Sequence, residues 1–185
     1  MSEKDILNIY SRYYGKENRA LLATVLTHSR AVARKALFIA RSLKEKGIET
    51  DEDFIYSASM LHDIGIINCN APSIGCFGDK PYICHGIEGA AMMRKEGLEK
   101  HARVCERHTG AGLTAKEIIE AGLPLPKKDL LPETTEEKII CYADKFFSKS
   151  GEPGKEKELK KIISQLQKHG QPVVERFLKL HNELG

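Results

Sequence analysis

Leu61-His62-Asp63-Ile64-Gly65 is the stretch whose reading decides the fold. It puts an imidazole and a carboxylate side by side where an apolar helix runs into a glycine. Neutral imidazole suits iron, zinc and nickel, and carboxylate suits magnesium and manganese, so an adjacent pair fits a divalent transition metal. A single His-Asp dipeptide arises often by chance. Its weight comes from whatever else faces inward elsewhere in the chain.

Upstream, a helical periodicity over 17–46 joins Leu21, Val25, His28, Val32, Ala36, Ile39 and Leu43 along one face. His28 belongs to that apolar stripe, so its ring should point into the core. Lys44, Lys46 and Gly47 form a basic last turn and a stop. A shorter apolar helix is expected over 4–14, ended by Gly15. The helix leading to His62 should begin near Asp51, with Thr50 and Asp53 at capping-box spacing.

Downstream, 66–82 is rich in Gly, Pro, Asn and Cys and shows no clear period, so it reads as a long loop shaping a binding site. Helices are expected from about Ile83 to Gly97, from Leu98 to His108, and briefly after the capping box Thr114…Glu117. A proline-rich connector fills 122–132. Thr134 and Glu137 then cap a helix bearing Ile140, Asp144 and Phe147 on one side. A polar stretch at 148–157 precedes two closing helices over 156–169 and 172–184. With no strand-like alternation, the fold class is all-α. The chain is read as one domain, 1–185, with its core over about 20–150 and the helices of 156–184 packed on it.

Lys plus Arg less Asp plus Glu is 29 − 26 = +3. That excess suits small anionic substrates and is too small to argue for nucleic acid. The start carries no secretory pattern, and no apolar run reaches the roughly 18 residues of a membrane span, so no membrane partner and a cytoplasmic location are expected. Five cysteines without a Cys-x-x-Cys pair read as free thiols, Cys105 and Cys141 serving as small core residues.

Asp144, inward on its helix, is costly to bury unless paired or metal-bound. His85 falls in the first turn of one helix and His108 in the last turn of the next. Two divalent ions about 3.5–4 Å apart clamp both the attacking and the leaving oxygen of a displacement, and need a bridging carboxylate. Asp63 is the expected bridge, with His28, His62 and Asp144 on one ion and His85 and His108 on the other. Each residue alone has a plainer reading: a hydrogen-bonded core histidine at His28, a salt bridge at Asp144, caps or surface at His85 and His108. His101, His169 and His181 stand in polar surroundings and are read as surface residues.

The order His28…His62-Asp63-Ile64-Gly65…Asp144 resembles the HD-domain superfamily of metal-dependent phosphohydrolases in its HDIG form, over roughly 20–150. His85-Gly86-Ile87-Glu88-Gly89-Ala90, Arg107-His108-Thr109-Gly110 and Tyr142-Ala143-Asp144 are similar to segments of the dinuclear branch that includes bacterial symmetrical diadenosine tetraphosphate hydrolases. The resemblance implies a helical bundle around two divalent ions, iron first, with Mn, Co, Ni or Zn as alternatives. It implies hydrolysis of a phosphate ester or anhydride, of a nucleotide, through a metal-activated hydroxide, with Asp63 catalytic. Many members carry a basic residue directly after the motif, where this chain has Ile66. Lys80, Arg107 and Lys145 are the candidate replacements for holding phosphate. Two rival readings stay open: a mixed-valent di-iron oxygenase and a nucleotide-sensing module without turnover.

Overall fold

A computed structural model describes residues 1–151 and 154–185. Among them are nine α-helices and one small sheet, in keeping with the all-α expectation. The helices are α1 (Glu3–Tyr14), α2 (Arg19–Glu45), α3 (Glu52–Leu61), α4 (His85–Lys95), α5 (Glu99–Arg107), α6 (Ala115–Glu120), α7 (Thr135–Asp144), α8 (Leu159–Gln167) and α9 (Gln171–Leu184).

The central element is α2. Its 27 residues span about 40 Å at 1.5 Å per residue. The predicted stripe is buried along its whole length. The lower part, Leu21, Val25 and Leu26, packs with α1, α3, α4 and α5 around Met60, Leu61, Ile64 and Met93. The upper part, from Ala31 to Leu43, packs with α7, α8 and α9 around Ile139, Ile140 and Phe177. His28 lies where the stripe passes from one cluster to the other. A ring held there faces the junction of both cores and not the middle of either.

Two tyrosines of α1 fix the start of the His-Asp segment. Tyr10 Oη donates to the Met60 carbonyl at 2.8 Å, and Tyr14 Oη to the Ile64 carbonyl at 3.2 Å. The Met60 carbonyl lies in the last turn of α3, which lacks helical partners, so that bond satisfies an acceptor the helix leaves open, and the Ile64 bond pins the turn that follows. After Asp63 the chain tightens into a 3-10 turn, Ile64–Asn68. Ile66, which stands where many HD-domain proteins have a basic residue, is fully buried in the lower cluster.

Gly65 explains why the motif ends in glycine. A Cβ there would stand 2.1 Å from the Gly89 amide nitrogen and 2.2 Å from the His85 carbonyl oxygen. A Cβ on Gly86 would stand 2.5 Å from the Cys105 carbonyl oxygen. Backbone atoms cannot yield as a flexible side chain can, so only glycine lets the 3-10 turn, α4 and α5 approach this closely. That approach brings His85 and His108 to Asp63.

The structure departs from the sequence reading in a few places. The 66–82 loop contains a three-stranded sheet, order β2-β1-β3, of β1 (Cys69–Ala71), β2 (Cys76–Phe77) and β3 (Lys80–Pro81). Strands of two or three residues leave no alternation to read. The N-cap of α3 is Asp51, accepting from the Phe54 amide at 2.9 Å, and not Thr50. His101 is buried, its Nε2 2.9 Å from Ser57 Oγ and its ring edge-on to Phe54, so it is no surface residue. The capping box at Thr114 and the Thr134 cap are present as expected, and all five cysteines are free and buried. Of the polar stretch at 148–157, positions 152–153 lie outside the described residues. No helix among the described residues is long and apolar enough to cross a membrane.

Candidate metal centre

Four helices meet α2 near its middle. His28 comes from α2 itself, His62 and Asp63 from just past the end of α3, and Asp144 from the last residue of α7. His85 opens α4 and His108 closes α5. All six are buried, Asp63 completely.

Their donor atoms form two groups that share one residue. His28, His62, Asp63 and Asp144 offer atoms within 4.8 Å of one another, and so do Asp63, His85 and His108. The Asp63 carboxylate is divided between them. Oδ2 lies 3.1 Å from His28 Nε2 and 3.0 Å from His62 Nε2, while Oδ1 lies 3.5 Å from both His85 Nε2 and His108 Nε2. Asp144 Oδ1 closes the first group, 2.9 Å from His28 Nε2 and 3.5 Å from His62 Nε2.

Backbone carbonyls set the tautomers of three rings. His62, His85 and His108 each place Nδ1 at 2.6–2.7 Å from the carbonyl three residues earlier, of Ser59, Tyr82 and Cys105. A carbonyl only accepts, so Nδ1 carries the proton and, in the neutral ring, Nε2 presents a lone pair to the centre. His85 Nε2 and His108 Nε2 then face each other at 3.0 Å, two lone pairs head to head. A cation between or beside them relieves that repulsion. His62 Nε2 and Asp63 Oδ1 are buried without a hydrogen-bond partner among the described residues, at a cost of about 1–3 kcal/mol for each such group. The donor set fits divalent metal, and Asp63 belongs to both donor groups.

The two groups differ electrically. Burial disfavours the charged form of His62, but Asp63 and then Asp144 outweigh it and push the ring up to about 9. His85 goes the other way, down to about 3, through burial and then the facing His108. Burial likewise drives His108 down. Asp63 and Asp144 stay well below the usual carboxylate range despite burial, held there by His62 and Lys149 in the first case and by Lys145 and His28 in the second.

A cavity of about 1030 Å³ opens on His85, His108 and Asp144. Its cationic lining includes Lys145, Lys149, Lys157 and Lys168. Lys145 Nζ is 2.7 Å from Asp144 Oδ2, and Lys149 Nζ is 2.7 Å from Asp63 Oδ2. Of the three basic residues expected to hold phosphate, only Lys145 lines this space. Lys80 is exposed on β3 beside Asp79, and Arg107 is engaged by Glu133 and the Leu131 carbonyl. Lys149, absent from the candidates drawn from sequence, sits in the polar stretch after α7. No spacing rule marks it there, because only the path of the loop brings it back to Asp63.

The HD domain family matches residues 25–148, which holds His28, the His62-Asp63 pair, His85, His108 and Asp144. The chain belongs to this family. HD domains are in general metal-dependent hydrolases, which agrees with the buried donor set. An uncharacterized protein of Methanocaldococcus jannaschii is 36% identical over 162 residues, covering 87% of this chain and 88% of its own length. Proteins named tRNA (cytidine(56)-2'-O)-methyltransferase are also similar. The one from Picrophilus torridus is 34% identical over 75% of this chain, and the one from Thermoplasma volcanium 29% identical over 87%. The HD-domain chain spans only 36% and 42% of those two proteins' lengths. No solved structure matches it.

Proposed function

We propose that the protein is a metal-dependent phosphohydrolase acting on a phosphate ester or anhydride of a nucleotide at a dinuclear centre, with the layout of the diadenosine tetraphosphate hydrolase branch. The observation that carries this reading is Asp63, which turns one oxygen to each of two donor groups. His28, His62 and Asp144 would hold one ion and His85 and His108 the other. Bound there, divalent ions supply a hydroxide near neutral pH and offset charge developing on phosphoryl oxygens.

The chain's own residues supply the rest. Asp63 and Asp144 place negative charge where cations are wanted and away from the substrate phosphate. Lys145 and Lys149, at the mouth of the cluster, donate to the phosphate oxygens that do not react. Protonated Nδ1 atoms on His62, His85 and His108 lock each Nε2 toward the centre. Tyr82, stacked on the His85 ring at 4.8 Å, limits the tilt of that ligand.

The lysine-lined wall favours a phosphorylated substrate over the oxygenase alternative, which an oxygen-uptake assay would expose. The relatives named for tRNA methylation bring an RNA-linked setting within reach of this proposal. Methyl transfer itself is not proposed, because the buried groups here are metal donors. The experiment is metal analysis of anaerobically purified protein, then phosphate release across nucleotides with Fe, Mn, Co, Ni and Zn. Release that needs metal and disappears in Asp63→Asn supports the reading. Tight nucleotide binding with no release under any metal overturns it in favour of a sensor.

A further inference from the structure

The cavity is larger than hydrolysis of a terminal phosphate requires. Its volume of about 1030 Å³ stands at the upper end of small-ligand sites, commonly about 300–1,000 Å³. One wall is α8. Lys157 precedes that helix and Lys168 with His169 follow it, and all three line the cavity. Lys157 and Lys168 are separated by 168 − 157 = 11 positions, roughly 16 Å at the helical rise. The Lys157 amide donates to the Phe146 carbonyl at 2.8 Å, which ties the near end of this wall to the segment just past Asp144.

The Lys157 ammonium meets the Gln165 side chain at 3.4 Å and is attracted by the Asp144 carboxylate, while Lys168 is exposed at the far end of the wall. Burial pushes Lys157 down to about 8 against the pull of Asp144, with the neighbouring Lys145 and Lys149 adding to the fall. On α8 between the two cationic ends the lining is Ile162, Gln165 and Leu166, and Val173, Phe147 and Tyr82 add apolar or aromatic surface elsewhere in a cavity that also holds Glu117 and Asp144. Charge spaced along a groove with flat or apolar surface between is how proteins bind single-stranded nucleic acid, the cations following phosphates and the flat faces taking bases. At about 3.4 Å per stacked nucleotide, the wall spans about four to five nucleotides, fewer in an extended strand.

We infer that the cavity receives the phosphorylated end of a short single-stranded oligonucleotide, its terminal phosphate at the cluster and a later phosphate at Lys168 and His169. The inference rests on the phosphohydrolase reading for the position of the terminal phosphate. The small net charge of the whole chain conceals such a site, because Lys145, Lys149, Lys157 and Lys168 all line this one cavity.

The test is competition binding to the metal-loaded protein, with a tetraadenylate carrying a hydrolysis-resistant 5′-thiophosphate and a 3′ label as probe, and the unlabelled tetranucleotide or adenosine 5′-thiomonophosphate as competitor. Wild-type protein should bind the tetranucleotide at least about tenfold more tightly than the mononucleotide. Lys168→Gln should remove most of that preference, and Lys157→Gln/Lys168→Gln all of it. The salt slope of tetranucleotide binding should fall by about 0.7 for each phosphate no longer neutralised. Lys168→Arg should keep the preference. Equal binding of the two competitors to wild type, or full length preference in Lys168→Gln, overturns the inference. Lys168 is exposed, so its substitution leaves folding intact, which circular dichroism checks. Phosphate release is measured separately with added metal. Preserved length preference without release sinks the hydrolase and spares the oligonucleotide site, and release without length preference does the reverse.

Discussion

The two donor groups around Asp63 are built differently. The first has two carboxylates and two histidines, is packed between α2, α3 and α7, and meets the cavity through Asp144, beside Lys145 and Lys149. The second has two facing histidines, one shared carboxylate oxygen, and a side open to the cavity. In the first, anionic charge outweighs burial at His62. In the second, burial and a like neighbour outweigh the single carboxylate at His85. A site rich in carboxylate binds a dication tightly, whereas a neutral, open one binds it loosely and leaves positions for substrate. On the dinuclear proposal, the first group would hold its ion more tightly than the second.

The sharpest break is Asp63→Asn, which weakens both groups together. Turnover should fall by more than about 100-fold, beyond the usual loss for an outer-shell partner, and bound metal should drop from two ions per chain toward none, read by elemental analysis. Single-ligand changes then test the asymmetry. His28→Ala should abolish the tighter of two calorimetric binding steps, and His85→Ala only the weaker. Loss of the same step in both variants would mean that the groups are equivalent. Lys149→Ala should raise KM by about tenfold with a smaller change in kcat, as expected for a group that binds phosphate equally before and during reaction.

Gly65→Ala probes the packing that joins the halves. Its added methyl meets backbone, and denaturant unfolding should show a loss of about 1–3 kcal/mol together with weaker binding in the second group. The smallest effect is expected at His101, which lies in neither group. Burial holds its folded pKa at about 4, below the ordinary value near 6.5. The unfolded chain therefore takes up the proton first as pH falls. The stabilisation is complete above about 6.5 and is lost progressively toward 4. His101→Gln should flatten the stability profile in that window.

The parts legible in the sequence were those that repeat or cap. The α2 stripe placed His28 inward, the Thr114 box and the Thr134 cap marked α6 and α7, and helical spacing put Asp144 on the face of Ile140. Regular structure carries its own period, so such residues announce themselves. Lys149 did not, because a lysine between two serines has no period and its position depends on how the loop returns. Arg107 misled for a related reason. Its neighbour His108 faces the cluster, but one helical position turns the guanidinium by about 100° toward Glu133. His101 looked solvated between Lys100 and Arg103, yet Ser57 and Phe54 cover it from α3.

The glycine contacts that press the 3-10 turn, α4 and α5 together also decide which parts of the molecule are free to diversify. Neither helix has room to slide, so sequence change is freest away from this contact, for example in the small sheet of 69–81.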